Sequence, residues 1–361
     1  MGGFSGSYLS SDVTFLLTQM DFEYTDIKTK ERLIQSGKKH YSEMLSAEYV
    51  PSEEYLATFY EALQQSILPL AEDVLQLAYS MNQQKHLVLV SLVRAGTPIG
   101  VLLKRTLALV FKRNVAHYAI SIIRDRGIDE VALDYIRAAH LSDGSDIRFI
   151  DGWTGKGVIA KQLWQSVEQY NKQHDSALNA HLSVLSDICG AAKYAARRSD
   201  YLIPSSLLNS TISGLVSRSI LNESIGKTEF HGCKFHQEFI EKDLSLWYIN
   251  TIMEKVMQLG LPIKGIDVDE NKRLQQRKQH ERFIEQTLNK YQISNINLLK
   301  PGIGEAIRVL LRRYPEKILM RDKSKAEMQA FLRLAAEKGV PVVEELDMPY
   351  QVMSMIRTVK G

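Results

Sequence analysis

Cysteine, proline and net charge are all scarce in this chain. Only Cys189 and Cys233 occur among 361 residues, too few for the disulfide framework of a small secreted domain, so the chain reads as one kept in a reducing compartment. No segment approaches the roughly 18 consecutive apolar residues that a membrane-spanning helix needs. Met1 to Ser10 also lacks the basic and apolar regions of a secretory signal. These absences point to a soluble, cytoplasmic protein with no membrane partner. The net charge of +3 hides an asymmetry: from Lys264 onward 19 Lys and Arg face 13 Asp and Glu, whereas the first 263 residues carry 26 against 29. A basic tail on a slightly acidic body suggests a polyanionic partner for the tail.

With 45% hydrophobic residues, the chain is long enough to bury the cores of two domains. Leu56, Phe59, Leu63, Ile67, Leu70, Val74 and Leu77 recur at helical spacing, and Pro69 is expected to kink or split that helix. Leu87 to Val93 is a nearly continuous apolar run, as in a strand buried on both faces of a parallel sheet. Thr97 and Pro98 then suit the cap and first turn of a helix ending near Phe111. Two more strand–loop–helix units follow: Val115 to Ile123 with Asp129 to Ala139, and Ile147 to Ile150 with Val158 to Tyr170. Leu182 to Ser186 reads as a further strand and Gln237 to Leu259 as one long helix. The predicted fold class is therefore α/β, a doubly wound, mainly parallel sheet over residues 1–263 with a helical N-terminal extension and a hood. A polar linker, 264–299, leads to a small basic α/β domain, 300–361. Its expected elements are helix Gly304 to Tyr314, strand Lys317 to Met320, helix Lys325 to Glu337 and strand Val340 to Val343.

Two turns at strand ends have the composition of anion cradles. Arg94-Ala95-Gly96-Thr97 offers a guanidinium, a glycine and a helix start. Asp151-Gly152-Trp153-Thr154-Gly155-Lys156-Gly157 offers a carboxylate for sugar hydroxyls, then a hydroxyl, a lysine and a second helix start. Gly157 stands where a P-loop needs Ser or Thr, which excludes that NTPase motif.

Taken in this order, the first turn resembles the pyrophosphate loop of type I phosphoribosyltransferases, especially the uracil type, and Arg148 to Gly157 resembles their PRPP-binding loop. Gly6-Ser7-Tyr8, Arg32 to Gly37, Ser205 to Thr211 and Pro301 to Ala306 extend the likeness to most of the chain. The whole is similar to a bacterial family of predicted phosphoribosyltransferases fused to a Pelota-like RNA-binding domain. Members lie near tellurite-resistance and stress-response genes, and the family is also labelled StiP and in places a cysteine protease. The resemblance implies an enzyme of nucleotide metabolism, a Mg²⁺-assisted phosphoribosyl transfer between PRPP, or a related sugar phosphate, and a base-like acceptor. Arg94, Arg124 and Asp151 would be catalytic, with Arg126 as an alternative to Arg124. Arg94 to Thr97 would hold pyrophosphate, and Asp151, Gly152 and Thr154 to Gly157 the ribose phosphate. Mg²⁺ would be held through PRPP and Asp151, with no other metal site. Asp200, Ser205, Ser206 and Asn209 would line the acceptor pocket. One departure stands out: the usual loop has two adjacent acids, whereas here Gly152 follows Asp151.

The same resemblance places structured RNA on Gly304, Arg308, Arg312 and Arg313, and the helical spacing of Ile307, Leu310 and Leu311 puts that basic stripe outward. A homodimer is compatible with the sequence. The first alternative is a non-catalytic, nucleotide-sensing RNA-binding regulator, and the next is a cysteine peptidase. Neither cysteine has a local peptidase signature, and both read as buried. His231, Cys233 and His236 could supply three zinc ligands but lack a fourth.

Overall fold

The computed structural model describes residues 2–261, 264–325 and 328–357. The expected boundary at residue 263 and the last four residues of the tail lie outside them. Strand Val88–Leu92 is buried along its whole length, as its apolar run requires. It pairs in parallel with Ala116–Ile120 on one side and Ile147–Ile150 on the other. Leu182–Asp187 and Tyr194–Arg197 continue the sheet, and the two-residue strand Thr14–Phe15 forms its opposite edge, all parallel. The five main strands thus run in the order 2-1-3-4-5. Winding reverses between Val88–Leu92 and Ile147–Ile150, where open α/β sheets bind ligands beyond the strands' carboxyl ends.

Nine α-helices occur among the described residues: α1 Ile27–Gln35, α2 Glu53–Asn82, α3 Gly96–Leu109, α4 Glu130–His140, α5 Val158–His174, α6 Ser245–Leu259, α7 Glu270–Lys290, α8 Ile303–Arg312 and α9 Gln329–Glu337. Helices α2, α3 and α6 cover one face of the sheet through Leu70, Val74, Ile99, Leu103 and Ile252. Helices α4 and α5 cover the other through Leu133, Ile136, Leu163 and Val167.

Several elements differ from expectation, each for a packing reason. Helix α2 runs through Pro69 as a single element, since Leu63 before it and Leu70, Val74 and Leu77 after it are buried in one core. Helix α3 begins at Gly96, not after a Thr97 cap, and Thr97 is buried with its hydroxyl unpartnered. The expected long helix from Gln237 breaks into a 3-10 segment, Gln237–Lys242, and α6. Ser245 lets the break happen: its hydroxyl donates to Asp243 and accepts the Gly214 amide.

The polar linker is mostly the helix α7. His280, Phe283, Ile284 and Thr287 on it are buried, the two apolar ones against Leu319, Met353 and Tyr350 of the C-terminal unit. That unit is a four-stranded sheet in the order Leu299–Pro301, Val352–Ile356, Pro315–Met320, Val342–Glu344, antiparallel except for the last pair. The two strands at 299–301 and 352–356 were not expected. Helix α8 inserts Ile303, Ala306, Ile307 and Leu310 into the core that contains Leu207 and Ile212 of the first unit, so the two units share buried apolar surface.

Candidate functional site

A cleft of about 990 Å³ opens at the switch point, floored by the two strand-end loops and roofed by the C-terminal unit. Of the first loop, Arg94 and Ala95 line it and Gly96 and Thr97 do not. Arg94 is already held: its guanidinium pairs with Glu48 at 2.5 Å and donates to Asn209 Oδ1 at 2.9 Å. A Cβ on Gly96 would lie 2.3 Å from the Ile150 carbonyl oxygen, so this glycine lets helix and strand meet rather than admitting a ligand. Of the expected pyrophosphate loop, the structure thus brings Arg94 and Ala95 to the cleft and keeps Gly96 and Thr97 out of it.

The second loop is more open. Asp151, Trp153, Thr154, Gly155, Lys156 and Gly157 line the cleft, and Gly152 packs against Ala95 below it. Burial pushes the Asp151 carboxyl up to about 7, opposed by the Gly152 amide and by Arg308. The Thr154 hydroxyl is turned away, donating to Asp187 at 2.5 Å. Gly155 packs under the Pro301 carbonyl oxygen. Lys156 donates to the Ile296 carbonyl oxygen at 2.6 Å, and burial, reinforced by Lys300, brings its pKa down to about 7. Gly157 has φ +72 and no side chain caps α5 behind it, so the first amides of α5 remain open to an anion. Val158, Ile159 and Ala160 bring that helix start to the cleft.

Arg124 reaches the cleft, stacked 5.3 Å from the Tyr41 ring centroid, while Arg126 bonds Leu221 and Glu43 elsewhere. Of the residues expected in the acceptor pocket, only Asn209 lines the cleft. Asn209 serves Arg94, Ser205 and Ser206 are buried, and Asp200 accepts the backbone amides of Ile303 and Gln351, all at 3.2 Å. Asp200 therefore ties the C-terminal unit to the first one at the start of α8.

Two members of the expected basic stripe, Arg308 on α8 and Arg313 just after it, are not outward. Arg308 stacks 5.0 Å over Trp153 and pairs with Glu305 at 3.1 Å, and Arg313 pairs with Glu31 of α1 at 2.6 Å. Both line the cleft. The buried face of α8 docks on the hood around Leu207, which turns the neighbouring arginines toward the cleft instead of solvent. A Cβ on Gly304 would meet Trp153 and Ser206 at 3.1 and 3.2 Å, so this glycine serves the contact between units. The side chain of Arg312 lies outside the described residues. Lys30, Glu48, Tyr41, Arg218, Lys300 and Glu305 also line the cleft. Lys300 adjoins and Glu305 belongs to the Pro301-to-Ala306 motif, but the others carry no local signal, being brought in by α1, segment 41–48 and position 218, which only folding places there.

Both cysteines are free and buried. Cys233 is fully enclosed, and burial pushes its thiol up to about 12. Cys189 lies beyond the end of strand Leu182–Asp187 beneath the cleft floor, its Sγ 3.4 Å from Thr154 Oγ1 and 3.6 Å from Asp187 Oδ1. Burial first, then the Asp187 charge, holds that thiol far above its usual range. His280 on α7 feels Asp187 as well, but burial dominates and lowers its pKa to about 4. His231 bonds Ser121 and His236 bonds Glu238. No group of three His, Cys, Asp or Glu that could hold a metal ion occurs among the described residues, and no described helix is long and apolar enough to cross a membrane.

Fold and site together define a two-unit α/β protein whose parallel sheet ends in a cation-rich cleft closed by a small basic domain. Residues 6–253 match the family model described as "Tellurite-like stress resistance cysteine protease StiP", and residues 278–358 match the PELOTA RNA binding domain. A relative named "Cysteine protease StiP", from Acinetobacter baylyi, is 41% identical over 98% of this chain and 94% of its own length. The chain belongs to the StiP family. That membership overturns the expectation of a PRPP-dependent, Mg²⁺-assisted phosphoribosyltransferase, because the family is described as a cysteine protease. The expected link to stress resistance agrees with the family's description, and the RNA-binding match begins inside the expected linker. A Pyrococcus protein-A1 crystal structure and an aromatic aminotransferase of Pyrococcus horikoshii align at 14% and 13% identity over 81% and 78% of this chain and 75% and 76% of theirs, with TM-scores of 0.20 and 0.19. Likeness that low carries no argument.

Proposed function

We propose that this StiP-family protein works by holding a phosphate-bearing ligand in the cleft between its two units, with its C-terminal unit engaging RNA. The observation that carries this reading is the charge of the cleft: nine lysines and arginines line it against four carboxylates, and the uncapped start of α5 opens into it. Burial first, and neighbouring cations second, hold Lys156 and Lys300 below their usual range, and an anion in the cleft would favour their charged forms. Titration calorimetry of the full chain with inorganic phosphate and with uridine monophosphate tests it. Binding of either, lost on Lys156→Met, supports the reading. Equal binding by that variant, or none by the parent, overturns it.

A second reading follows the family's description and places a peptidase nucleophile at Cys189. It is favoured by one observation: of the two cysteines only this one lies at the cleft end of the sheet, next to Asp187 and beneath Thr154. In the structure the thiol is enclosed and held protonated, so attack requires Thr154 and Gly157 to move aside. Hydrolysis of unfolded casein that is lost in Cys189→Ser and kept in Cys233→Ser supports it. Hydrolysis indifferent to both, or none at all, rejects it.

A further inference from the structure

The segment matching an RNA-binding domain, residues 278–358, does not turn the best-placed of its described cations to the outside. Lys300, Arg308 and Arg313 line the cleft and face Arg94, Arg124, Lys156 and Arg218 of the first unit. Several of these seven retain donor capacity. The Lys300 side chain makes no hydrogen bond or ion pair among the described residues, though it feels the Glu305 charge, and Arg308 Nε and Arg218 Nη1 are buried without a hydrogen-bond partner. Unmade hydrogen bonds of buried charged groups are costly, and an anion held between the two units would satisfy cations of both.

Aromatic rings are interleaved with these charges. The guanidiniums of Arg124 and Arg218 lie 5.3 and 5.4 Å from the Tyr41 ring centroid, and Trp153 stacks with Arg308 while donating to Glu305 at 3.3 Å. Alternating cations and rings is how proteins hold unpaired nucleic acid, with phosphates on the charges and bases stacked on rings and guanidinium planes. The space of about 990 Å³ is at the upper end of small-ligand pockets. It admits a nucleotide or two that has left a helix and excludes a duplex.

We infer that RNA binds in the interdomain cleft itself, as an unpaired segment gripped by both units at once, with a base stacked on the Trp153–Arg308 pair. This rests on the reading of the cleft as an anion site. It gives that site a ligand class and makes the RNA-binding unit half of the site, not a separate module.

The experiment uses the full chain and a fluorescein-labelled single-stranded oligouridylate, read by anisotropy across a salt series. Arg308→Ala on the roof and Arg124→Ala on the floor should each weaken binding about tenfold and make the log–log salt slope shallower by about 0.7 for each phosphate that is no longer neutralised. Lys317→Ala, on the outer sheet and stacked on Tyr291, should leave both unchanged. A blunt-ended duplex should bind at least tenfold more weakly, and a 4-thiouridine probe should crosslink to the peptide containing Trp153. Arg308→Lys and unchanged circular dichroism guard against a folding defect in Arg308→Ala. RNA binding that ignores Arg124→Ala, falls with Lys317→Ala or prefers the duplex overturns the inference, while uridine monophosphate bound in a Lys156-dependent way leaves the anion-site reading standing. If neither RNA nor uridine monophosphate responds to any cleft variant, both fall.

Discussion

Two loops leave neighbouring strands at the switch point with much the same ingredients, a cation, at least one glycine, a threonine and a helix start, yet they end in opposite conditions. In the first, Glu48 and Asn209 consume Arg94, Gly96 is pressed on Ile150, and Thr97 is turned inward. In the second, Lys156 reaches only a carbonyl oxygen, Asp151 faces the cleft with a raised pKa, and α5 starts without a cap. An anion cradle is therefore defined less by its own residues than by what the rest of the chain brings against them. A carboxylate delivered from residue 48 turns one cradle into a structural tie.

The largest effect expected from that comparison is in Glu48→Ala. Arg94 and Glu48 have side chains only 9% and 10% exposed, and removing one partner of such a pair costs about 3 kcal/mol. The urea midpoint should fall accordingly, while sulfate affinity rises because Arg94 becomes available. A stable variant with unchanged sulfate binding would show that the first loop is idle for another reason.

Next is Gly157→Ala. The left-handed backbone at φ +72 costs an alanine about 1 to 2 kcal/mol, and its Cβ would also press on Ala191 at 2.8 Å. Thermal unfolding should come earlier and phosphate binding should weaken with it, since α5 must shift. A neutral substitution would mean the start of α5 is looser than its contacts imply.

Lys156→Met should separate charge from packing. Its single bond to a carbonyl oxygen predicts a stability change of about 1 kcal/mol or less, with about a tenfold loss of sulfate affinity by calorimetry. The smallest effect is in pH. Lys156, with its pKa lowered to about 7, gains charge as pH falls through that value, and Asp151, raised to about 7, loses its negative charge over the same window. Both changes favour an anion, so sulfate affinity should climb from pH 8.5 to pH 6 and the climb should flatten in Asp151→Asn. For stability the sign is the reverse of the usual carboxylate case. Asp151 contributes stability fully present below its unfolded pKa and lost as pH rises toward about 7.

The hydrophobic pattern determined the sheet. Leu87 to Val93 had to be a central strand because an apolar, β-branched run that short can be satisfied only by burial on both faces, and strand Ile147–Ile150 agrees with its expected bounds. Local composition likewise located both strand-end loops and the basic tail, because glycine, lysine and helix-start preferences act within a few residues. Helix α8 shows where that information stops: Ile307 and Leu310 announced a buried face, but burial against the hood, not the spacing itself, decided that Arg308 and Arg313 point into the cleft. The strands at 299–301 and 352–356, the capture of Arg94 by Glu48 across 46 residues, and the enclosure of Cys189 under Thr154 were also settled only by tertiary packing. Periodicity tells which side of an element must be covered. What covers it, and hence which charges are spent and which remain for a ligand, depends on contacts between segments that sequence distance does not encode.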